Sequence, residues 1–335
     1  MGIWQRQFLT YHPVFGWWFV PNLKAMMPGA DGAFCLRTNS IGMRSDREYS
    51  QTRPPGGHRL LCLGDSYTAG DGVDNKARFS DCLEADHSKL EVMNFGLPGS
   101  GTDQQLLIFE SLARSFDADA VMLAFGVEDI QRNMTDIWPY RQRGSNAVWY
   151  MAKPYFKFEE GSLVLHNQPV PNVRLSKGDA MKHRESAHFL RWMDIKVTAP
   201  RWAQQQSLLK MLSVSLMNPY SGYGSEDNHE WKLMRAILDR LIREVADIPL
   251  FITPLPDLHH SVMGLTPTYM RRLENLRDSA KSVFVLDILP DFKALPSHER
   301  KKCFMSDGHY SPLGHQVVTQ AVSRALANYY PDVLS

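Results

Sequence analysis

The sequence predicts a doubly wound α/β fold built on five parallel strands, and three observations lead to it. Short apolar runs alternate with segments whose apolar residues recur at helical spacing, which is typical of a parallel sheet with helices on both faces. The run at residues 118–125 is almost continuously apolar, as expected for a strand buried on both sides. Polar and glycine-rich segments follow several runs, at the sheet edge where such folds place their active groups.

The predicted elements follow one another in a regular order. We predict strands at residues 58–63, 90–95, 118–125, 249–253 and 283–287, and helices at 79–85, 102–116, 227–246, 267–280 and 311–329. The helix at 102–116 is justified by its apolar residues, which are Leu106, Leu107, Phe109 and Leu112. Thr102 or Asp103 is a suitable cap for it.

Two stretches depart from this alternation. Residues 1–57 are rich in aromatic residues, proline and glycine, and we predict a small β extension packed on a main domain at 58–335, because the stretch is too short to form its own core. Residues 130–225 form an insertion after the third strand. Within it we predict a β-hairpin at 153–158 and 162–166, and helical segments near 185–193 and 202–217. The insertion is either a lid or substrate-recognition wall or an ordinary surface elaboration.

Composition restricts the partners and the location. The 335 residues are 44% hydrophobic and 22% charged, as in an ordinary folded protein, and the net charge of +1 gives no reason to expect nucleic acid as a partner. The four cysteines are irregularly spaced without a C-x-x-C pair, so we expect neither a zinc site nor a disulfide framework. The N-terminus lacks the apolar region of a signal peptide and no apolar run approaches ~18 residues. We therefore expect no membrane span and a cytoplasmic location; the oligomeric state stays open.

A serine with two partners far downstream is the strongest functional signal. Gly64-Asp65-Ser66 directly follows the first strand, so a tight turn presents the Ser66 hydroxyl at the carboxyl end of the sheet. A serine hydroxyl needs a base to take its proton, and His309, just before the last helix, is the best candidate. Asp307, two residues earlier, is suited to orient the imidazole and to stabilise its cation. These residue types predict nucleophilic acyl chemistry.

The glycine loop after the second strand, at residues 94–101, is a candidate oxyanion hole. The backbone N–H of Gly99, together with that of Ser66, is the predicted donor pair, because glycine lets the backbone approach a substrate closely. A dinucleotide-binding loop is a weaker interpretation, since the spacing is not G-x-G-x-x-G, and we expect no cofactor. The scattered histidines show no metal-ligand spacing, so we expect no metal.

In combination, these motifs resemble those of the SGNH (GDSL-type) hydrolase family. Residues 58–126 and 248–330 carry Gly-Asp-Ser, the glycine loop and Asp-x-His in that family's order. The resemblance implies a flavodoxin-like, three-layer α/β/α fold and the cleavage of esters, often acetyl esters of sugars or lipid esters. It implies Ser66 as the nucleophile, Asp307 and His309 as the rest of a triad, and Gly99 as an oxyanion donor. The extension and the predicted hairpin also look like features of bacterial members.

One motif departs from the family pattern. Residues 126–129 read Gly-Val-Glu-Asp where the family has Gly-x-Asn-Asp, so Glu128 stands in place of an Asn whose amide donates to the oxyanion. A carboxylate there would repel the oxyanion, and losing one donor typically costs about 100- to 1000-fold in rate. Either Glu128 is protonated and donates, or it turns away while Asn133 or Gln131 substitutes, or the hole is weak and the chemistry altered. The two-residue spacing of Asp-x-His, where three is usual, is a smaller departure.

Several of these residues also have structural interpretations. Ser66 is alternatively a turn serine that caps the next helix, and Asp307 with His309 a helix-entry loop. His315 is interpreted as a packing or surface histidine. His259 and His260 follow the fourth strand at the predicted catalytic edge, and we favour an exposed loop over contact with substrate.

The sequence therefore predicts a serine esterase that hydrolyses an O-acyl ester, which we expect to be an acetyl ester, of a carbohydrate or small metabolite through an acyl-serine intermediate. The substrate class is implied only by the resemblance. Two alternatives stay open. The same serine would serve an acyltransferase in which an alcohol or amine replaces water. The replacement of Asn by Glu128 would also suit a weakly active or non-catalytic binding protein.

Overall fold

The computed structural model describes residues 8–141, 148–182 and 220–331. In these ranges the strands are, in chain order, β1 (Leu9–His12), β2 (Gly16–Phe19), β3 (Lys24–Pro28), β4 (Ala33–Arg37), β5 (His58–Gly64), β6 (Leu90–Asn94), β7 (Ala120–Gly126), β8 (Ile137–Arg141), β9 (Val148–Ala152), β10 (Tyr155–Glu159), β11 (Ser162–His166), β12 (Arg174–Leu175), β13 (Leu250–Leu255) and β14 (Val283–Val285). The α-helices are α1 (Ser66–Ala69), α2 (Phe79–Asp86), α3 (Thr102–Ser111), α4 (Asp129–Arg132), α5 (Lys177–Ala180), α6 (His229–Val245), α7 (Leu258–Ser261), α8 (Tyr269–Leu273), α9 (Leu289–Ala294), α10 (Ser297–Lys302) and α11 (Pro312–Tyr329). Short 3-10 turns lie at Asn75–Ala77, Ala113–Ser115, Ser221–Gly224 and Glu274–Asp278.

A five-stranded parallel sheet forms the centre of the fold. Its strands lie in the order β14-β13-β7-β5-β6, and every neighbouring pair is parallel. The chain runs from β5 outward to β6, then crosses back to β7 and continues to β13 and β14. The winding therefore reverses between β5 and β7, which is where open α/β sheets bind their ligands. The predicted α/β fold with five parallel strands is confirmed.

Alternate residues of the central strands pack into different layers. Leu61 and Leu63 of β5 join a buried cluster that includes α3 and α6, whereas Leu60 and Cys62 join a second cluster with α2 and α11. Successive side chains of a strand point to opposite faces, so a strand covered on both sides must be apolar throughout. This explains the continuous apolar runs and confirms the three-layer α/β/α arrangement.

The N-terminal extension forms two antiparallel hairpins, β1-β2 and β3-β4. Its side chains reach the loops that follow the central strands. Trp17 Nε1 donates to the carbonyl oxygen of Pro98 at 2.9 Å, in the loop after β6. The buried Arg44 donates from Nη1 to the carbonyl oxygens of Ala69 and Gly70, each at 2.7 Å, at the end of α1. The extension thus contacts both segments expected to supply oxyanion donors.

The insertion contains the predicted hairpin, in which β10 pairs with β11. Its two-residue turn has Glu160 at φ 50° and Gly161 at φ 79°, the left-handed geometry that suits tight hairpins. A second, three-stranded antiparallel sheet of order β12-β9-β8 was not predicted. The sequence of β8 hides it, because Pro139 lies within the strand and reads as a breaker. The helices predicted near 185–193 and 202–217 lie outside the described residues.

Two late elements differ from their predicted extents. The helix expected at 267–280 is a short α8 followed by the 3-10 turn Glu274–Asp278, a change of hydrogen-bond pattern that apolar spacing does not resolve. The strand expected at 283–287 stops at Val285. Asp287 Oδ1 accepts a hydrogen bond from the Leu289 N–H at 3.0 Å, and this turn leads directly into α9.

Candidate active site

The turn that carries Ser66 is formed by a strand end and a short capped helix. Asp65 Oδ1 accepts a hydrogen bond from the Tyr67 N–H at 2.9 Å and caps α1, which begins at Ser66. Gly64 is required here, because a Cβ at this position would lie 2.0 Å from the carbonyl oxygen of Ala124 on β7. Ser66 itself is buried to 6% exposure. The hydroxyl is therefore held at the carboxyl edge of the sheet.

Ser66, His309 and Asp307 form one hydrogen-bonded chain. Ser66 Oγ lies 3.0 Å from His309 Nε2, and His309 Nδ1 lies 3.0 Å from Asp307 Oδ2. The other carboxylate oxygen of Asp307 accepts from the backbone N–H of His309 at 3.1 Å. The two-residue spacing therefore lets one aspartate fix both the backbone and the ring of the histidine. These are the distances and the order of contacts that a serine triad requires.

Tyr67 supports the histidine from the serine side, a role that no sequence motif indicates. Its hydroxyl donates to the carbonyl oxygen of Gly308 at 3.1 Å. Its ring centroid lies 5.5 Å from that of His309 and 4.7 Å from that of Tyr310. The residue next to the serine thus holds the loop that carries the histidine.

Gly99 lies in a loop that side chains from the extension and the insertion hold in place. Its φ is 77°, and an added Cβ would lie 2.8 Å from the indole ring of Trp138, which belongs to β8. On the preceding residue, the carbonyl oxygen of Pro98 accepts the hydrogen bond from Trp17. Within the described residues, no backbone carbonyl accepts from the N–H of Ser66 or of Gly99. Both N–H groups therefore suit the oxyanion hole that the sequence predicts.

Glu128 is paired with an arginine that sequence reasoning did not single out. Its Oε1 accepts from Arg132 Nη2 at 2.6 Å, one helical turn along α4. The same guanidinium donates from Nη1 to Asp65 Oδ2 at 2.7 Å and to the carbonyl oxygen of Ser100 at 3.0 Å. Arg132 thus joins the nucleophile turn, the glycine loop and the end of β7. The spacing of Glu128 and Arg132, four residues apart, is the signal that could have revealed the pair.

The two amides expected to replace the missing Asn have other partners in the structure. Asn133 Nδ2 donates to Thr102 Oγ1 at 2.7 Å, and its Oδ1 accepts from the Asp103 N–H at 3.1 Å. Gln131 Nε2 donates to Glu230 Oε2 at 2.7 Å. Asn133 therefore holds the start of α3, directly after the glycine loop, and direct donation to an oxyanion would require it to exchange these contacts.

Three carboxylates surround the Arg132 guanidinium, and their combined negative charge acts on the pKa values of Arg132 and Asp129. Burial lowers the pKa of Arg132, but Asp129, Glu128 and Asp65 together outweigh it, so the net shift is upward. Burial raises the pKa of Asp129 well above its usual range; Arg132 opposes the shift, while Asp65 and Glu128 add to it. Burial and like charge therefore favour the protonated form of Asp129.

A second aspartate–histidine cluster follows β13 at the same edge, where the sequence predicts an exposed loop. Asp257 accepts from the backbone N–H groups of His259 and His260, at 3.0 and 3.1 Å, and lies 3.2 and 2.8 Å from their Nδ1 atoms. The hydroxyl of Tyr220 donates to Asp257 Oδ2. His260 is buried, which corrects the interpretation of this pair as an exposed loop, whereas His259 is partly exposed. The signal was present, because Asp257-Leu258-His259 repeats the Asp-x-His spacing.

Neither a metal cluster nor a membrane helix is apparent in the described ranges 8–141, 148–182 and 220–331. No three or more His, Cys, Asp or Glu side chains there are grouped so that they could hold a metal ion. No helix in the same ranges has both the length and the apolar character needed to cross a bilayer.

Comparison with solved structures gives distant likenesses. A lipase/acylhydrolase from Enterococcus faecalis is 13% identical, with a TM-score of 0.41 over 81% of this chain and 96% of its own. A catalytic mutant of an acetylxylan esterase from Geobacillus stearothermophilus is 12% identical, with a TM-score of 0.43 over 80% and 93%. A member of the lipolytic protein G-D-S-L family from Veillonella parvula is 12% identical, with a TM-score of 0.40 over 81% and 99%. No curated protein sequence matches the chain.

The family assignment rests on a sequence model rather than on these structures. The model of the GDSL-like Lipase/Acylhydrolase family matches residues 62–317, which is most of the chain and includes the serine, the glycine loop and the Asp-x-His motif. The recognition made from the motifs is confirmed. The chain belongs to the GDSL-like Lipase/Acylhydrolase family and is an ester hydrolase.

Proposed function

We propose that this enzyme is a serine esterase that removes an O-acyl group, acetyl in the first instance, from a carbohydrate or small metabolite through an acyl-serine intermediate. The observation that carries the proposal is the continuous chain from Ser66 Oγ through His309 to Asp307, with both links at 3.0 Å. Such a chain supplies a nucleophile, a base and an orienting carboxylate without a metal or organic cofactor.

The proposed reaction has two halves. His309 Nε2 takes the proton of Ser66 as Oγ attacks the ester carbonyl carbon, and the N–H groups of Ser66 and Gly99 stabilise the oxyanion. Collapse of the tetrahedral intermediate breaks the bond to the alcohol, which leaves with the proton from His309. Water then attacks the acyl carbon with His309 again as base. Collapse of this second tetrahedral intermediate breaks the bond to Ser66 Oγ, which regains a proton from His309, and the carboxylic acid leaves. Asp307 keeps the imidazole in the tautomer that presents Nε2 to the serine.

In this proposal Glu128 is not a donor to the oxyanion. Its contact with Arg132 supports an ionised carboxylate whose charge is compensated, rather than a protonated one. Asn133 supports the hole indirectly, through its bonds to Thr102 and Asp103 at the start of α3. The hole then has two backbone donors and lacks the side-chain amide usual in the family, so simple esters would be cleaved below the rate that a third donor would allow.

This account of the oxyanion hole is tested by Glu128→Asn. Restoring an amide and removing a negative charge is expected to raise kcat for p-nitrophenyl acetate by about 10-fold, a conservative share of what one donor is worth. Glu128→Asp keeps the charge and is expected to give no increase. A fall in kcat for Glu128→Asn would show that the carboxylate itself takes part in catalysis.

The nucleophile is tested by labelling with a fluorophosphonate, which reacts with activated serines. The wild-type enzyme is expected to be labelled, and Ser66→Ala is expected to remain unlabelled, whereas the exposed control Ser50→Ala is labelled as wild type. Assays with acetylated substrates, in the presence and absence of an acceptor alcohol, separate hydrolysis from acyl transfer. Absence of labelling that depends on Ser66 would contradict both enzymatic proposals and favour a binding protein.

We further propose that residues 1–57 and 58–335 work as one catalytic unit, with 1–57 an extension packed on the main domain. The contacts of Trp17 with Pro98 and of Arg44 with the end of α1 support this division and its tight coupling. The proposed location is cytoplasmic and the proposed partner is a small ester substrate. Fractionation of the producing cells tests the location.

A further inference from the structure

The ends of three neighbouring strands place Ser66, Glu128 and Asp257 on one edge. Gly64 of β5 pairs with Ala124 of β7, and Gly126 of β7 pairs with Leu255 of β13. Ser66 and Asp257 each follow the last paired residue of their strand by two positions, as Glu128 follows Gly126. Because parallel strands end at the same edge, the cluster around Asp257 borders the triad across one strand.

Tyr310 connects the two Asp-x-His turns directly, and Tyr67 contacts the first turn and lies close enough to the second to be affected by the charge of Asp257. The hydroxyl of Tyr310, which follows His309, donates to the carbonyl oxygen of Pro256 at 2.7 Å, immediately before Asp257. Tyr67, next to the serine, is buried beside both turns. Burial raises its pKa well above the usual range, and Asp257 followed by Glu128 are the charges that raise it most. The second cluster therefore lies within electrostatic reach of the reacting serine.

Within this cluster, one imidazole is accessible and its ring is held in one orientation. Burial raises the pKa of Asp257, but the hydrogen bonds from His259 and His260 outweigh it, so the net pKa is well below the usual range and the carboxylate is ionised. Both rings are held at Nδ1, which makes Nε2 the remaining atom for a ligand. The side chain of His260 is fully buried, whereas that of His259 is 21% exposed. A ligand can thus reach only His259 of the two.

We propose that His259, held by Asp257 and Tyr220, binds a hydroxyl of the alcohol part of the ester and makes the enzyme selective for neutral, polyhydroxylated alcohols. An imidazole whose Nδ1–H is donated to a carboxylate leaves Nε2 for a ligand, and a sugar hydroxyl can form a hydrogen bond with it there. This inference rests on the proposed esterase function and deepens it by naming the class of alcohol.

The charge of this edge supports a neutral ligand over an anionic one. Asp65, Glu128, Asp257 and Asp307 all lie around the serine and the two histidines, and Arg132 already contacts two of these carboxylates. An anionic alcohol, such as a sugar phosphate or a hydroxy acid, would be repelled by the exposed Asp307 and the partly exposed Glu128. A neutral polyol meets no such repulsion and finds acceptors for its hydroxyl groups.

The test compares two acetyl esters that differ only in the alcohol. The first is a monoacetylated methyl glucoside with its remaining hydroxyls free, and the second is p-nitrophenyl acetate, whose alcohol has no hydroxyl to bind. We expect His259→Ala to lower kcat/KM for the glucoside ester about 10- to 100-fold, mainly through KM, and to change that for p-nitrophenyl acetate less than about threefold. His259→Gln, which keeps an acceptor, should recover part of the loss, and the exposed control His298→Ala should behave as wild type.

A binding measurement keeps this inference separate from the proposed function. Calorimetry with Ser66→Ala and with Ser66→Ala/His259→Ala measures binding of the glucoside ester without turnover, and we expect the added His259→Ala change to weaken binding by about the same 10- to 100-fold. Equal losses for both esters, or no loss for the glucoside ester, would overturn the role of His259. Absence of Ser66-dependent turnover and labelling would instead contradict the esterase function, and the calorimetric comparison would still decide whether His259 binds the polyol.

Discussion

The two Asp-x-His turns of this enzyme have the same internal bonding and different surroundings. In each, one carboxylate oxygen accepts the backbone N–H of the histidine, at 3.1 Å for Asp307 and 3.0 Å for Asp257, and the other oxygen faces Nδ1. His309 then meets the hydroxyl of Ser66 at Nε2, whereas the hydroxyl beside the second turn, from Tyr220, binds the carboxylate. In the proposed mechanism, the same arrangement therefore acts as a base at His309 and as a binding group at His259.

Burial is the second difference between the turns. The side chain of Asp307 is 44% exposed, whereas that of Asp257 is 9% exposed and is surrounded by donors from His259, His260 and Tyr220. A solvated carboxylate loses little when one partner is removed. A buried one depends on all of its donors, because an unpaired charge inside the protein is costly. We therefore expect the first turn to matter for rate and the second for stability and recognition.

The largest expected contrast is between the two histidines with p-nitrophenyl acetate as substrate. His309→Ala is expected to lower kcat more than about 1000-fold, because Ser66 loses its base. His259→Ala is expected to leave kcat within about threefold, because this ester offers nothing for that residue to bind. Steady-state kinetics of the two variants provide the measurement. A large loss of kcat in both would break the distinction and make His259 a second proton-transfer group.

The two aspartates are expected to show the opposite pattern in stability. Asp307→Asn should lower kcat about 1000- to 10,000-fold through the wrong histidine tautomer, while changing the free energy of unfolding by less than about 1 kcal/mol. Asp257→Asn should lower the free energy of unfolding by about 2–4 kcal/mol, because the amide cannot accept all of the donors that now meet the carboxylate. Its effect on kcat for p-nitrophenyl acetate should stay below about tenfold.

Urea unfolding and kinetics on the same two proteins check this expectation. Equal losses of stability in Asp307→Asn and Asp257→Asn would mean that the difference in exposure of the two side chains does not affect the free energy of unfolding. The comparison would be sharpened if Asp257→Asn also weakened binding of the glucoside ester, since His259 is then no longer held.

A third histidine, His315, shows what burial does to an imidazole without a carboxylate. It lies in α11, is 1% exposed, and its Nδ1 accepts the Phe79 N–H at 3.2 Å. Burial, with smaller contributions from the nearby Arg44 and Arg78, lowers its pKa from 6.5 to about 3. The unfolded chain therefore binds a proton that the folded chain refuses, and this contribution to stability is complete above about pH 6.5 and decreases as the pH falls towards about 3.

The expected effect is a loss of about 2 kcal/mol between pH ~6.5 and pH ~4.5 from this one residue. His315→Gln should be less stable at neutral pH but should have a shallower decline on the acid side. Urea unfolding of both proteins over this pH range measures the difference in slope. Parallel pH profiles would show that His315 is protonated as easily in the folded state as in the unfolded one.

The sequence predicted the parts of this molecule that depend on local patterns. Ser66, His309 and Asp307 stand in short motifs. An aspartate two residues before a histidine can bond to it within a single turn, so the pairing of Asp307 with His309 needs no knowledge of the fold. The five strands were also predictable, because strands buried on both faces must be apolar throughout. Their ends shifted by one or two residues where turns such as that at Asp287 begin.

The remaining parts depend on chain segments that only the folded structure brings together. Arg132 stands in none of the sequence motifs, and its contacts with Asp65 and Ser100, which are distant in sequence, exist only in the folded chain. Trp138 could not be assigned to the glycine loop, because β8 was not recognised as a strand. The Asp-x-His spacing of Asp257 and His259 is visible in the sequence, but the burial of His260 and the contact with Tyr220 are not.

The position of Gly99 between two tryptophans has a consequence for how this enzyme can change. Trp138 lies against the glycine itself and Trp17 binds the residue before it, so the peptide expected to stabilise the oxyanion is held by parts of the chain that lie outside the catalytic core. The extension and the insertion are therefore not interchangeable modules. In a chimaera that takes either segment from a relative, we expect the loop around Gly99 to change its conformation unless the matching tryptophan is kept.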